Sequence, residues 1–309
     1  MASRLFLVLS IKFCRMSFLS DCDLTCSVAR LFVYPVKSCA GIEVPQALLT
    51  NTGLEWDRAW MVVDAMGHGL TQRTLPRMAL VQPSLHLQNN TLVLQAPGRP
   101  AFSVPLALFG TPVTVAVWDD QVQALDAGGA AATWFSAYLG QPCRLVRFDP
   151  AGRRLASPDW SAGMAAPFQF ADAFPLLVAS MAGLDALNAQ LTACTEAAVG
   201  MERFRPNLVL DGVEAHEEDW LDALHIQTDA DANGDVQLVL TKPCVRCPIP
   251  DIDPSSAEAG TQVGDALRRY RQDARMGGAL TFGMNAVVRA GWGQVLRTRQ
   301  PMGANYRFD

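Results

Sequence analysis

The sequence predicts a mostly β protein with a few helices, an α+β arrangement of two packed units. Three observations carry that prediction. From Val28 onward the chain breaks into short apolar or alternating runs closed by turn residues, the pattern of strands that bury one or both faces. In the first half these runs come in close succession, which points to a barrel-like unit. At 309 residues, half of them hydrophobic, the chain exceeds one average domain and can bury two sizeable cores.

Met1 to Ser20 carries a short apolar run, Leu5 to Ile11, between Arg4 and Lys12. Lys12 and Arg15 end its apolar character, no clear small-residue cleavage site appears, and the run is too short to span a bilayer. Residues 1–27 therefore read as a leader or disordered extension without stable membrane insertion, and Met16 is an alternative start. Strands are predicted at Ala29 to Pro35, Ala59 to Asp64, Ser84 to Leu87, Thr91 to Gln95 and Pro112 to Val117, with turn signals such as Asn89-Asn90 and Pro97-Gly98 between them. Asp126 reads as the cap of a helix over Ala130 to Leu139 that stops at Gly140 and leads into a strand at Cys143 to Phe148. This completes a first unit over 28–150. Residues 151–166, rich in Ala, Gly, Ser and Pro, read as a linker or a mobile loop over a site. A second unit over 167–300 holds a capped helix from Ser180 through Leu191 and strands at Leu208 to Leu210 and Val236 to Thr241. Beyond the cysteine loop it continues with a helix around Asp265 to Arg271 and closing strands at Ala286 to Arg289 and Gln294 to Arg297. Residues 301–309 read as a tail.

Composition narrows the function. With 30 acidic against 25 basic residues and no basic block, the chain lacks the charge that tracks a nucleic-acid polymer. Eight cysteines at irregular spacing do not make a disulfide framework, and free thiols suit a reducing compartment, so the cytoplasm is expected. His68, His86, His216 and His225 have no spacing of a triad or a metal set and read as surface residues.

The segment from Lys242 to Pro254, Lys-Pro-Cys-Val-Arg-Cys-Pro-Ile-Pro-Asp-Ile-Asp-Pro, carries the most chemistry. A thiolate there would bind a soft or high-valent metal, while Arg246 beside Cys247 would favour ionised sulfur and offer donors to an anionic ligand. Cys244 and Cys247 could also be half of a zinc site, for which only Cys22 and Cys26 offer a second pair, or a redox dithiol. The prolines make this an extended loop rather than the helix start a thioredoxin-like dithiol uses, which leaves a single-cysteine metal site as the main reading. Lys37-Ser38, Asp57-Arg58, Arg73 with Arg77, and Arg205-Pro206-Asn207 stand where strands or ordinary turns would want other residues. Any one alone reads as a surface charge. Together they offer the cations and directional donors that a phosphate-bearing, amide-rich ligand needs.

Tyr34-Pro35-Val36-Lys37-Ser38-Cys39, Trp56-Asp57-Arg58-Ala59-Trp60, Thr71-Gln72-Arg73 with Pro76-Arg77, Phe204 to Asn207, Cys244 to Cys247 with Asp253-Pro254, and Phe282-Gly283-Met284-Asn285 span nearly the whole chain after residue 28. In this order they resemble MOSC-domain proteins with an N-terminal MOSC β-barrel domain, and among these the amidoxime-reducing molybdenum enzymes. The resemblance implies an N-terminal β-barrel domain succeeded by a MOSC β-barrel domain. It implies a molybdenum–molybdopterin cofactor (Moco) with Cys247 as catalytic residue and metal ligand, and cofactor contacts from Lys37, Ser38, Arg58, Arg205, Asn207, Arg246 and Asn285. It makes Cys244 a supporting or structural thiol and carries the family's association with pyridoxal phosphate binding.

The implied activity is reduction of small N-hydroxylated compounds, such as amidoximes and hydroxylamino bases. No cysteine comes after Cys247 to hold the iron–sulfur cluster of an appended ferredoxin domain, so electrons are expected from a separate flavin reductase, ferredoxin-like or haem protein. The alternative is a carrier that holds or sulfurates the cofactor without turnover, and a metal-free dithiol protein is a third reading. Departures from the animal enzymes are Ala173-Phe174 for a hydroxyl pair, Val245 for a serine, Asn285 for a tyrosine, and a stiff Pro248-Ile249-Pro250 after Cys247. They bear most on substrate range.

Overall fold

The computed structural model describes residues 19, 21–107, 109–228 and 235–308; the apolar run at Leu5 to Ile11 and Met16 lie outside them. The chain is mostly strand with three α-helices among the described residues. Seven strands close into a barrel, in the order Leu176–Ser180, Leu208–Asp211, Leu24–Val33, Pro301–Tyr306, Leu221–Ile226, Val236–Val245 and Ala279–Ala290, which pairs back to the first. All neighbours are antiparallel except Leu176–Ser180 with Leu208–Asp211, which are joined through the helix Met181–Thr192, the crossover a parallel pair requires. Inward-facing Val28, Leu31, Leu210, Leu224, Leu238, Met284 and Met302 fill the barrel interior.

The first strand starts at Leu24, inside the segment read as a leader, and Pro301–Tyr306, read as a tail, is a barrel strand. The chain thus lays down one barrel strand, keeps Ile42–Val44, Gln46–Thr50 and Gly53–Leu54 against the barrel, builds a second body mainly from residues 57–148, and returns to complete the barrel. That body has a four-stranded sheet (Trp60–Asp64, Cys143–Phe148, Asp120–Asp126, Thr111–Val117) and a three-stranded one (Gln82–His86, Thr91–Ala96, Arg99–Pro105). They share a core with the helix Gly129–Leu139, centred on Trp60, Trp134 and Phe135.

The helix starts differ in where their caps come from. Gly128 is the first N-cap, and Asp126 instead accepts the Gly128 amide at 2.8 Å in the turn leading into it. Gly140 stops that helix in the left-handed conformation, as predicted. Ser180 caps the second helix by accepting the Gly183 amide at 3.1 Å. The third, Gln262–Tyr270, receives its cap from outside: Asp251 accepts the amides of Val263 and Gly264 at 2.8 and 2.9 Å. Residues 151–166 pack rather than float, with Ala156 and Ala166 against Phe168, Phe174, Val239 and Val287.

His216 is buried, contrary to the surface reading: it meets the Phe282 ring edge-on and the Tyr270 hydroxyl at 3.3 Å. Beside it in the chain, fully buried Glu218 accepts from Ser180 Oγ at 2.6 Å, and Asp219 pairs with Arg271 at 2.7 Å. Burial pushes Glu218 up to about 7 and His216 down to about 4.

This packing sets two expected outcomes. Gly283 sits at φ +76°, and a Cβ there would come 2.5 Å from the Val178 carbonyl oxygen, so Gly283→Ala is expected to lower unfolding stability by roughly 2 kcal/mol, read by urea denaturation. A carboxyl with a raised folded pKa stabilises below its unfolded value and loses that contribution as pH rises through the folded one. For Glu218 the window runs from ~4.3 to about 7. His216 acts oppositely, destabilising as pH falls from ~6.5 toward about 4. Melting temperature should therefore decline between roughly pH 6 and 8 in the unmodified protein, and Glu218→Gln should remove that decline.

Candidate functional site

A cleft of about 240 Å³ opens where the chain leaves the barrel after its first strand and returns to it. All eight residues predicted for the site line it: Lys37, Ser38, Arg58, Arg205, Asn207, Arg246, Cys247 and Asn285. Thr71 and Arg73 join them from the N-terminal body, and Ala171 to Phe174, Lys242 and Cys244 from the barrel side. Arg77 is not part of the lining; its guanidinium lies 4.6 Å from the Tyr138 ring.

The centre of the arrangement is the buried ring of Tyr34, at the end of the first barrel strand. Arg58 lies 4.2 Å and Arg205 4.3 Å from its centroid. Arg58 grips both oxygens of buried Asp57 at 2.7 and 2.6 Å, and Asp57 also accepts the Tyr34 amide at 2.9 Å. Arg58 donates further to the Arg205 carbonyl at 3.0 Å, and Arg205 to the Cys39 carbonyl at 2.6 Å. Arg205 forms no ion pair with a described residue; burial and the neighbouring Arg58 lower it to about 10. Ser38, Arg58 and Arg205 all have positive φ, at 62°, 47° and 58°. Non-glycine residues in that region cost about 1 kcal/mol or more each and gather where surrounding structure fixes a functional geometry.

Lys37 is buried and donates to the Phe170 carbonyl at 2.8 Å and to Asp172. Burial lowers its pKa, with Asp172 opposing. Desolvation by the surrounding cleft walls would raise Asp172, although its side chain is open to the cleft, but Lys37, Arg73 and the Trp118 indole outweigh it and hold the carboxyl well below the usual range. Arg154 steadies this corner by donating to the carbonyls of Gln169 and Ala171 at 2.7 and 2.8 Å. Asn207 frames the barrel wall: its side-chain amide accepts from the Leu177 amide at 3.1 Å and donates to the Phe32 carbonyl at 3.3 Å. Both ends of that amide are thus spent on backbone. Asn285 donates to the Lys242 carbonyl at 3.2 Å.

In the cysteine loop the guanidinium of Arg246 donates to Cys244 Sγ at 3.1 Å and to the Phe204 carbonyl at 2.9 Å. It therefore serves the first thiol, not Cys247 as its place in the sequence suggested. The Cys247 side chain makes no hydrogen bond with a described residue, and Arg246 Nε is buried without a partner. Asp253 holds the loop, as expected of a turn residue: it accepts the amides of Ser255 and Ser256 and pairs with Arg203 at 2.8 Å.

Sequence reasoning missed Asp172 and Trp118. Asp172 lies in an Ala-rich stretch with nothing to distinguish it. Trp118 carried a usable signal, since it occupies a tight hairpin turn at φ +56° where Gly, Asn or Asp is the usual choice.

The chain matches two domain families, MOSC N-terminal beta barrel domain over residues 25–142 and MOSC domain over residues 165–297. Mitochondrial amidoxime reducing component 2 of Rattus norvegicus is 36% identical over 260 residues, covering 79% of this chain and 72% of that protein. Mitochondrial amidoxime-reducing component 1 of Homo sapiens is 35% identical over 260 residues, 80% of this chain and 72% of that protein. Molybdenum cofactor sulfurase of Bos taurus is 30% identical over 260 residues, which cover 79% of this chain but 29% of that protein. With both domains present in order and the two amidoxime-reducing relatives matched over most of their length, the chain belongs to the MOSC-domain proteins with an N-terminal MOSC β-barrel, the family that includes the amidoxime-reducing components.

Proposed function

We propose that this protein reduces small N-hydroxylated compounds, amidoximes and hydroxylamino bases among them, at a molybdenum–molybdopterin cofactor bound in the cleft. The observation that carries this reading is a cleft lined by cations with spare donors beside an unengaged thiol. The buried, unpartnered Arg246 Nε–H and the unpaired Arg205 guanidinium fit a ligand with phosphate and ring-amide acceptors, because buried donors left unmade are costly. When bound, the cofactor supplies the electron-transfer chemistry.

The chain's residues then divide the work. Cys247 offers sulfur to the metal. Arg205 and Arg246 donate to anionic and amide groups, and Lys37 has one donor left after Asp172 and Phe170 take two of its three. Arg58 lies against the Tyr34 ring, and Ser38 brings its hydroxyl to the cleft lining. Asn207 acts by position, bracing the wall through Phe32 and Leu177, and Asn285 steadies the strand backbone at Lys242. Phe174, 5% exposed, helps keep water from the reacting groups.

Electrons come from a separate redox protein of flavin, ferredoxin-like or haem type. Cys26, Cys39, Cys143, Cys194, Cys244 and Cys247 are free thiols, in keeping with a reducing compartment such as the cytoplasm, and no helix among the described residues is long and apolar enough to cross a membrane. The similarity to a molybdenum cofactor sulfurase favours a second reading, a cofactor or sulfur carrier without turnover of its own.

The test is the molybdenum and pterin content of protein made with cofactor biosynthesis intact, and then reduced-viologen turnover of benzamidoxime, for the unmodified chain, Cys247→Ala and Cys244→Ser. The reductase predicts stoichiometric metal, turnover that falls to background in Cys247→Ala, and partial activity in Cys244→Ser. Metal without turnover moves the assignment to the carrier. Unmodified protein free of metal and pterin rules out both.

A further inference from the structure

The geometry points to a cleft mouth that selects N-hydroxylated substrates bearing an anionic group, a carboxylate or phosphate, through Arg73 and Lys242. This inference rests on the reductase reading. The cleft lining contains six cations, Lys37, Arg58, Arg73, Arg205, Lys242 and Arg246, against a single acid, Asp172. Asp172 is taken by Lys37, Arg58 has Asp57 behind it, and Arg205 and Arg246 are assigned to the cofactor. Arg73 and Lys242 remain, and neither forms an ion pair with a described residue.

Each instead lies over a tryptophan: Arg73 is 4.6 Å from the Trp118 ring and Lys242 5.3 Å from the Trp160 ring. A π face holds a cation in place without neutralising it; Asp172 feels the Arg73 charge but is ion-paired to Lys37, so both charges stay available to a ligand. Arg73 stands at the entrance, where Trp118 is 53% exposed and the Asp172 side chain 58%, and Lys242 lines the cleft from the barrel beside Trp160. Trp118 is itself fixed, by an indole N–H donated to Asp172 at 3.3 Å and by its left-handed backbone in the hairpin turn. One cation comes from the N-terminal body and the other from the barrel, so the cleft is positive on both contributing parts.

The chain as a whole carries a net charge of -5, which disfavours anions at the general surface. A cationic cleft with low-dielectric walls reverses that locally and concentrates anionic ligands, an effect that salt weakens. A neutral amidoxime gains nothing from the two charges, whereas one with a carboxylate gains affinity without altered chemistry at the N–O bond. The selection therefore acts on KM rather than kcat.

The experiment compares benzamidoxime with 4-carboxybenzamidoxime on cofactor-loaded full-length protein at low and high salt, in the unmodified chain and in an Arg73→Gln, Lys242→Gln double variant. Tryptophan fluorescence titration with 4-carboxybenzamidoxime reads binding without turnover. The expected result is a kcat/KM preference for the carboxylate of about tenfold at low salt, carried by KM, shrinking at high salt and largely lost in the variant. A purely structural role would lower both substrates together and leave their ratio intact. An unmodified ratio near unity, or one unchanged in the variant, overturns the inference, as does loss of pterin from the variant, which would give these cations to the cofactor. If neither substrate turns over, the reductase reading fails by itself. The titration then decides the anion site: salt-sensitive binding abolished in the variant sustains it, and equal binding overturns it.

Discussion

Two guanidiniums sharing one aromatic ring is the arrangement on which the rest of the site depends. Arg58 and Arg205 carry like charge in a partly buried setting, where their repulsion is larger than in water. The Tyr34 ring offers both of them a π face, Asp57 balances one, and the carbonyls of Arg205 and Cys39 take remaining N–H groups. The outcome is one guanidinium without an acid partner, held at a defined place. Because Asp57 also accepts the Tyr34 amide, the same carboxylate ties the N-terminal body to the exit of the first barrel strand. Site geometry and the seating of one body against the other are thus a single constraint.

That constraint accounts for where the backbone is strained. Ser38, Trp56, Arg58 and Arg205 all take positive φ without being glycine, and all flank Tyr34 or its partners. Glycine would enter those conformations more cheaply, but it would bring no guanidinium or hydroxyl to the cleft. Asn207 supplies the counterweight. Its backbone and side chain together make four hydrogen bonds to Phe32 and Leu177, which clamp three adjacent barrel strands directly behind Arg205. The strained residue is held by the one two places further along the chain.

Legibility in the sequence depended on how local each feature is. Strands that are short apolar or β-branched runs, such as Trp60–Asp64 and Thr111–Val117, were readable because the run itself marks a strand buried on both faces, along Trp60 to Val63 and at Val115 to Val117. Pro301–Tyr306 was not, since Pro, Gly and Asn disguise it, and its Gly303 is demanded by a neighbour far away in sequence: a Cβ there would meet Cys22 Sγ at 2.3 Å. The eight residues predicted for the site were singled out by their ordered motifs, and they do converge on one cleft. Buried His216 was misread because its environment, Phe282 and Tyr270, comes from strands and helices that its own segment does not reveal. Asp172 and Trp118 became visible only when Lys37 and Arg73 were brought beside them.

The cysteine loop shows the same limit at the scale of three residues. Adjacency placed Arg246 next to Cys247, but in an extended strand successive side chains point to opposite faces, so residues two apart share a side. Cys244 and Arg246 are two apart at the end of Val236–Val245, and their side chains meet at 3.1 Å. The guanidinium that would stabilise a thiolate is spent on Cys244 and on the Phe204 carbonyl. Cys247 lies past the strand end, where Pro248 begins the turn Ile249–Asp251 and the alternation stops. The two thiols are therefore inequivalent by backbone geometry: one is bound by the loop's own arginine, and the other lines the cleft without a competing partner. That asymmetry favours single-sulfur ligation over dithiol chemistry, because a dithiol needs both sulfurs to be free to approach each other, and Arg246 draws the first of them into a contact of its own.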